Sequence, residues 1–418
     1  MKTILGAGEH RYRVVENWGK LPDGWQLTDV ASVAVDSKDR IYVFNRGEHP
    51  MVVLDREGNF ITSWGEGLFA RAHGLHIDAD DNLYCTDDGD HTVRKCDTSG
   101  KVLLTIGIPN KPTPFMSGEP FHRCTHTALS PKGEIYVSDG YGNARVHKFT
   151  PDGKLMTSWG EGLFSRAHGL HIDADDNLYC TDDGDHTVRK CSTSGKVLLT
   201  IGIPNKPAPF MSGEPFHRCT HTALSPKGEI YVSDGYGNAC VHKFSPDGKL
   251  LKTWGESGTD PGQFNIVHNI VTDSDGWVYV ADRENHRVQV FDGNGKYETQ
   301  WNNLHRPCAL CCCSSGKQPN FIIGELGPGM PVNLKAPNLG PRLSIVDSNG
   351  KRIARLGGEQ GAGLEAGKFL APHGIALDSK GDIYVGEVGV TNWKTSFPDT
   401  DMPAQVRVKR CLQKLEKV

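Results

Sequence analysis

The chain has 418 residues, 46 Lys and Arg against 50 Asp and Glu, and a formal net charge of -4 at pH 7. Acids and bases are interspersed and the pI is near 6.5, so no basic face is available for a phosphate backbone, and nucleic acid is excluded as an expected partner. No apolar run reaches membrane-spanning length, and "MKTILGAGEHRYRVVENWG" lacks the core and cleavage site of a signal peptide; the expectation is a soluble, cytoplasmic monomer without a membrane partner.

In chain order, "YRVVENWG" is followed by "VASVAVD", which ends at Asp36, then by "IYVF" and a third strand, and after a turn by a fourth strand ending in "WG". The unit returns as "HGLHIDADDNLYCTDDGDHTVRKCDTSGKVLLTIG". Short strands of period two, joined by Asp-Gly or Ser-Gly turns, predict a four-stranded meander. Repetition of that meander every ~40–50 residues predicts propeller blades. First strands end at Asp36, Asp78, Ser130, Asp173, Ser225, Asp273, Ser314 and Asp378, which predicts an all-β propeller of eight blades, 1–418 forming a single domain. The last blade offers "GIALD", "DIYVGE" and "QVRVKRCL" and then lacks an outer strand; "YRVVENWG" is expected to fill it and close the fold.

Residues 63–157 recur as 158–252 with few changes, among them Ala70/Ser165, Asp97/Ser192, Thr113/Ala208 and Arg145/Cys240. This is a copied pair of blades. Removing one copy would leave a six-bladed arrangement.

Counting back from the end of each first strand, one slot holds Ala31, His73, Thr125, His168, Thr220, His268, Cys308 and His373. Histidine fills every second blade. First strands of a propeller line its channel, so the slot predicts imidazoles converging as metal ligands, three of them making an open zinc site. The competing reading is four separate histidines hydrogen-bonded to backbone. His76 and His171 lie three positions further on and His126 and His221 one position past the slot, where strand packing is expected. The loops after the second strands offer Arg46, Asp87 and Asp88, Tyr141, Tyr236 and Arg283: guanidinium groups suit a substrate carboxylate, and a phenol can accept a proton. These same loops also read as ordinary blade turns.

The twelve cysteines fall largely inside strand-like runs, so buried, reduced thiols are expected rather than a disulfide framework. In "PCALCCCSSG" neighbouring cysteines on a strand point to opposite faces, so Cys308, Cys311, Cys312 and Cys313 cannot all reach one tetrahedral ion. They are expected to pack.

"ADRENHRVQVF", "VSDGYGNARVHKF", "RAHGLHID" and "APHGIALD" resemble NHL-repeat propellers, and specifically the catalytic core of peptidyl-alpha-hydroxyglycine alpha-amidating lyase, over nearly the whole chain. That resemblance implies zinc held by His268, His373 and one of His73 or His168, Tyr141 or Tyr236 as base, and Arg46 and Arg283 on the substrate carboxylate. It implies cleavage of a carbinolamide-type peptide or small molecule to an amide and glyoxylate. The family has Met-Pro-His-Asp at its last zinc histidine, its aspartate binding calcium; here Ala371 and Gly374 stand instead, which leaves calcium without that ligand.

The family propeller has six blades. With blades ~10 Å apart, each stands ~10 Å from the axis in a six-membered ring and ~13 Å in an eight-membered one, so imidazoles that met on the axis would fall ~3 Å short. An off-axis site with two or three histidines, or loss of the site, is the expectation. The alternative function is a non-catalytic NHL scaffold that binds protein or peptide. A calcium-dependent lactonase fits less well, since the slot supplies imidazoles where calcium wants carboxylates.

Overall fold

A computed structural model of the chain describes residues 3–8, 10–130, 132–143, 145–160, 162–313, 320–333, 336–340, 342–356, 363–406 and 411–418. The protein is all-β, built of eight antiparallel blades of a β-propeller, with very little helix. Ser314, the expected end of one first strand, lies outside the described residues.

Blades 1 to 7 begin with the strands Val30–Val35, Ala72–Ile77, His126–Leu129, Ala167–Ile172, Cys219–Leu224, Val267–Thr272 and Pro307–Cys313, and each blade has four strands in sequence order. Blade 8 joins both ends of the chain. Its strands Pro372–Leu377, Ile383–Glu387 and Leu412–Lys417 are followed by His10–Val14 and then Ile4–Ala7. The ladder Tyr12↔Lys417, Arg13↔Glu416 and Val14↔Leu415 is the expected closure by the N-terminal strand. The third strand of this blade is a correction: it is Leu412–Lys417, downstream of most of "QVRVKRCL", of which residues 407–410 lie outside the described set. A helix, Gly389–Ser396, intervenes, its Trp393 buried against Leu370 and Val406.

The residues gather into two compact units: blades 8, 1, 2 and 3 in the first, and blades 4, 5, 6 and 7 in the second. Within each unit successive blades face one another through apolar clusters. Phe44, Met51 and Trp64 of blade 1 meet Leu75, Leu83 and Cys85 of blade 2. In the second unit Tyr231, Val241 and Trp254 of blade 5 meet Ile270, Val278 and Phe291 of blade 6. The second strand of such a blade is covered on both faces, which is why runs such as "IYVFN" and "VYVAD" are buried throughout, while fourth strands such as Leu250–Trp254 stay largely exposed.

The "WG" endings and the Gly turns belong to one device. Trp254, closing blade 5, lies so close to Gly295 in blade 6 that a Cβ there would sit 2.5 Å from the indole. Gly295 also has φ +74 and donates its N–H to the Asp292 carbonyl at 2.9 Å, closing the turn. Only glycine meets both demands without strain. Trp64 over Gly100 and Trp301 over Gly350 repeat the contact.

A second recurring device sits where the second strand hands over to the third. In blade 6 the buried Asp282 carboxylate accepts hydrogen bonds from the Asn265 N–H (2.7 Å), Asn285 Nδ2 (2.9 Å) and Arg287 Nε (2.7 Å). Asp87 plays the same organising part in blade 2, accepting from the N–H groups of Ala70, Arg71, Gly89 and Asp90. Its role is to hold the turn.

Candidate active site

All four slot histidines are oriented alike. The Nδ1–H of His73 donates to the Thr125 carbonyl (2.8 Å), that of His168 to Thr220 (2.8 Å), that of His268 to Cys308 (2.8 Å) and that of His373 to Ala31 (2.7 Å). Each acceptor is the slot residue of the following blade. A carbonyl can only accept, so Nδ1 carries the proton and Nε2 keeps its lone pair, the tautomer from which an imidazole ligates metal. Both sequence readings of the slot thus meet: backbone bonding is present, and it leaves the ligating nitrogen available.

Close approach of neighbouring first strands makes this bond possible. A Cβ at Gly74 would lie 2.4 Å from the Thr125 oxygen, and one at Gly169 2.5 Å from that of Thr220. At His73, His168 and His373 the glycine after the histidine lets the next blade come within reach; Asn269 stands there after His268. At Gly374 the clash would be with Ser32 Cα at 2.6 Å. The "HG" dipeptide was the sequence signal for this packing.

Histidines of alternate blades meet inside each unit. In the first, the His73 and His373 ring centroids are 5.2 Å apart; in the second, those of His168 and His268 are 5.0 Å apart. The two pairs cross at 77° and 68°. The estimated ~3 Å shortfall treats the imidazoles as spokes aimed at one axis. Rings two blades apart instead turn toward each other. Within its unit His373 is partnered by His73, and His268 by His168.

A tyrosine completes each pair. Tyr141 Oη lies 3.2 Å from His73 Nε2, and Tyr236 Oη 3.2 Å from His168 Nε2, each phenol donating to the imidazole lone pair. Burial, with a contribution from His373, depresses the His73 pKa to about 4, and burial also brings His268 to about 4. One member of each pair is therefore neutral at pH 7. His221, one position past the slot, is likewise brought to about 4 by burial, with His171, His168 and His268 adding to it.

The arginines form a cationic rim. Arg46 donates from Nε to the Ala72 carbonyl (3.0 Å) and stands 3.7 Å from Asp29; burial and then Arg71 lower its pKa. Arg71 and Arg123 share the Asp88 carboxylate at 3.0 Å each, and Arg123 lies 4.9 Å over the Tyr141 ring. In the second unit Arg166 and Arg218 share Asp183, Arg218 lies 4.9 Å over Tyr236, and Arg283 is 5.6 Å from that same ring. Burial pushes the Asp183 carboxyl up, but Arg166 and Arg218 outweigh it and hold the group below its ordinary range. Arg283 is itself bound to Glu284 at 2.8 Å, which also takes Arg306 at 3.0 Å. Arg71, Arg123, Arg166 and Arg218 were missed from sequence. They adjoin the slot strands in "RAHG" and "HRCTH", which is the signal that could have found them.

The cysteines follow expectation: Cys85, Cys96, Cys124, Cys180, Cys191, Cys219, Cys240 and Cys411 are buried free thiols. Cys308 is half-buried and Cys311 exposed.

Four-stranded blades with aligned first-strand histidines, and the Asp-Asn-Arg turn inside blade 6, define a propeller of repeat type, and the NHL repeat model matches residues 264–291 of blade 6. The chain belongs to the NHL-repeat family. NHL repeat-containing protein 3 of Homo sapiens is 30% identical over 312 residues, covering 71% of this chain and 84% of that protein. Peptidyl-glycine alpha-amidating monooxygenase B of Xenopus laevis is 32% identical over 253 residues, 58% of this chain and 27% of the relative. Peptidyl-alpha-hydroxyglycine alpha-amidating lyase 1 of Drosophila melanogaster is 35% identical over 164 residues, 36% of this chain and 30% of that protein. The matches to these last two span under a third of each relative's length.

Proposed function

We propose that the chain is a metal-assisted carbon-nitrogen lyase acting on a small hydroxylated, carboxylate-bearing substrate of the carbinolamide type, with a reaction centre within each four-blade unit. The observation that carries this reading is the pairing of alternate-blade histidines, every Nδ1 spent on backbone and a phenol at Nε2. The amidating-lyase relatives support the same chemistry.

The donor set suits zinc: His73 and His373 would hold it in the first unit, and His168 and His268 in the second, with Tyr141 or Tyr236 alongside. Two imidazoles are fewer than the three protein ligands usual for catalytic zinc, so binding is expected to be weaker. A zinc ion supplies Lewis acidity that eases deprotonation of a bound hydroxyl. The chain's own groups do the rest. Arg46 in the first unit and Arg283 in the second hold the substrate carboxylate by charge-assisted hydrogen bonds. Tyr141 or Tyr236 is the base that takes the hydroxyl proton. The carbonyl of glyoxylate forms as the carbon-nitrogen bond breaks, and the leaving nitrogen takes a proton to become the primary amide. Cytoplasmic location, action as a monomer and a single functional domain over 1–418 belong to the same proposal; among the described residues no helix is long and apolar enough to cross a membrane.

The test is release of glyoxylate from an α-hydroxyglycine-terminated peptide by zinc-loaded protein. Tyr141→Phe with Tyr236→Phe should lower turnover at least a hundredfold. Unchanged turnover in that variant removes the phenols from the mechanism. A second reading, a scaffold that binds protein or peptide, draws on NHL repeat-containing protein 3, whose match covers more of the chain. Absence of glyoxylate release with tight peptide binding would favour it.

A further inference from the structure

Blade 5 carries a second cluster of metal-ligating groups, independent of the histidine pairs. Asp234, Cys240 and His242 are buried, and their ligating atoms all lie within 4.8 Å of one another. His242 Nε2 is 3.3 Å from Asp234 Oδ2 and 3.4 Å from Cys240 Sγ, while its Nδ1 is engaged by Thr253 Oγ1 at 2.8 Å.

The cluster occupies the turn where blades 6 and 7 place an ion pair, Asp282 with Arg287 and Glu325 with Arg342. The register Asp282↔Arg287 in blade 6 corresponds to Asp139↔Arg145 in blade 3 and Asp234↔Cys240 in blade 5. Arg287 supplies a guanidinium to buried Asp282. In blade 5 that cation is replaced by a thiol, and among the described residues the ion partner of the fully buried Asp234 is His242. A buried carboxylate without its cation is costly.

The copied blade shows what the change does to space. A Cβ at Gly118 in blade 3 would lie 2.0 Å from the Arg145 guanidinium carbon, whereas one at the equivalent Gly213 would meet nothing within 4 Å. Gly118 is buried and Gly213 partly exposed, so exchanging the arginine for cysteine leaves room beside the turn. Zinc-sulfur and zinc-nitrogen bonds of about 2.3 and 2.0 Å at a tetrahedral angle put sulfur and nitrogen ~3.5 Å apart, and nitrogen and oxygen ~3.3 Å apart. Both separations match those in blade 5.

We infer that Asp234, Cys240 and His242 form a binding site for a soft divalent cation such as Zn²⁺, created by exchanging the turn arginine for cysteine. The cation restores the positive charge that Arg287 provides in blade 6. Thr253 fixes the His242 ring so that Nε2 faces the ion.

Cobalt is the probe, because a thiolate ligand gives Co²⁺ a near-ultraviolet charge-transfer band that imidazole and carboxylate do not. Metal-free full-length protein titrated with Co²⁺ should develop that band to one equivalent, and Zn²⁺ should abolish it. Cys240→Arg, which installs the residue blade 3 carries at this place, should keep the fold by circular dichroism and lose the band. His242→Gln, matching Gln289 of blade 6, should weaken Co²⁺ at least tenfold. The His168→Ala, His268→Ala variant should retain the band, separating this site from the proposed reaction centre. No band in the parent protein, a band that survives Cys240→Arg, or one lost only with Cys311→Ser and Cys312→Ser would overturn the inference.

Discussion

Deleting residues 1–22 removes the strand that joins the two ends of the chain in blade 8. Tyr12 and Val14, 9% and 6% exposed, lose their burial, and Leu412, Leu415 and their neighbours lose their strand partner. Trp18 goes too, with its packing on Tyr384 at 5.0 Å and its indole N–H bond to the Arg56 carbonyl at 3.1 Å. At about 1.5–3 kcal/mol per buried side chain, these three contribute roughly 5–8 kcal/mol, comparable with the net stability of an ordinary domain. For a cooperative unit of roughly 200 residues, each kcal/mol moves Tm by about 2–4 °C, so a fall of at least ~10 °C is expected. Differential scanning calorimetry reads this directly, and the first unit should melt ahead of the second. A loss of less than about 3 °C would mean that the N-terminal strand is an accessory to blade 8 and that the closure argument is wrong.

Further outcomes follow from the turn and slot geometry. Arg287→Leu leaves Asp282 buried without its cation and should cost about 3–5 kcal/mol in denaturant unfolding. Gly169→Ala drives a Cβ onto the Thr220 oxygen and should cost about 1–3 kcal/mol while disturbing His168, seen as weaker zinc binding. His73 and His268 have folded pKa values near 4, below the ordinary value of about 6.5, so the unfolded chain binds more protons between those limits. Stability should be complete above pH 6.5 and decline as pH falls toward 4, and His73→Gln with His268→Gln should flatten that part of the pH-stability curve.

Much of the architecture was legible because each blade repeats its own chemistry. "WG" and the following Gly turn mark a real contact between blades, and Asp-Asn-Arg marks the strand handover. The final blade was less legible: among the described residues the ladder with Ile383–Glu387 runs from Leu412 to Leu415, after a helix that period-two reading does not see. Alternation of histidines along the chain disclosed their shared slot. It could not disclose that His73 pairs with His373 and His168 with His268, since pairing depends on how rings turn once blades pack. Nor does a strand pattern show Asp88 and Asp183 each gathering two arginines, because those groups come from adjacent blades. Cys240 looked like one of seven scattered differences between the copies; its meaning lies in the buried aspartate opposite it.

The most direct test of a centre within each unit is zinc stoichiometry by equilibrium dialysis, measured in the Cys240→Arg background so that the blade 5 cluster does not contribute. Two zinc ions per chain are expected, falling to one in His73→Ala with His373→Ala and to one in His168→Ala with His268→Ala. Loss of all zinc from either double variant, or no loss from both, would contradict the account.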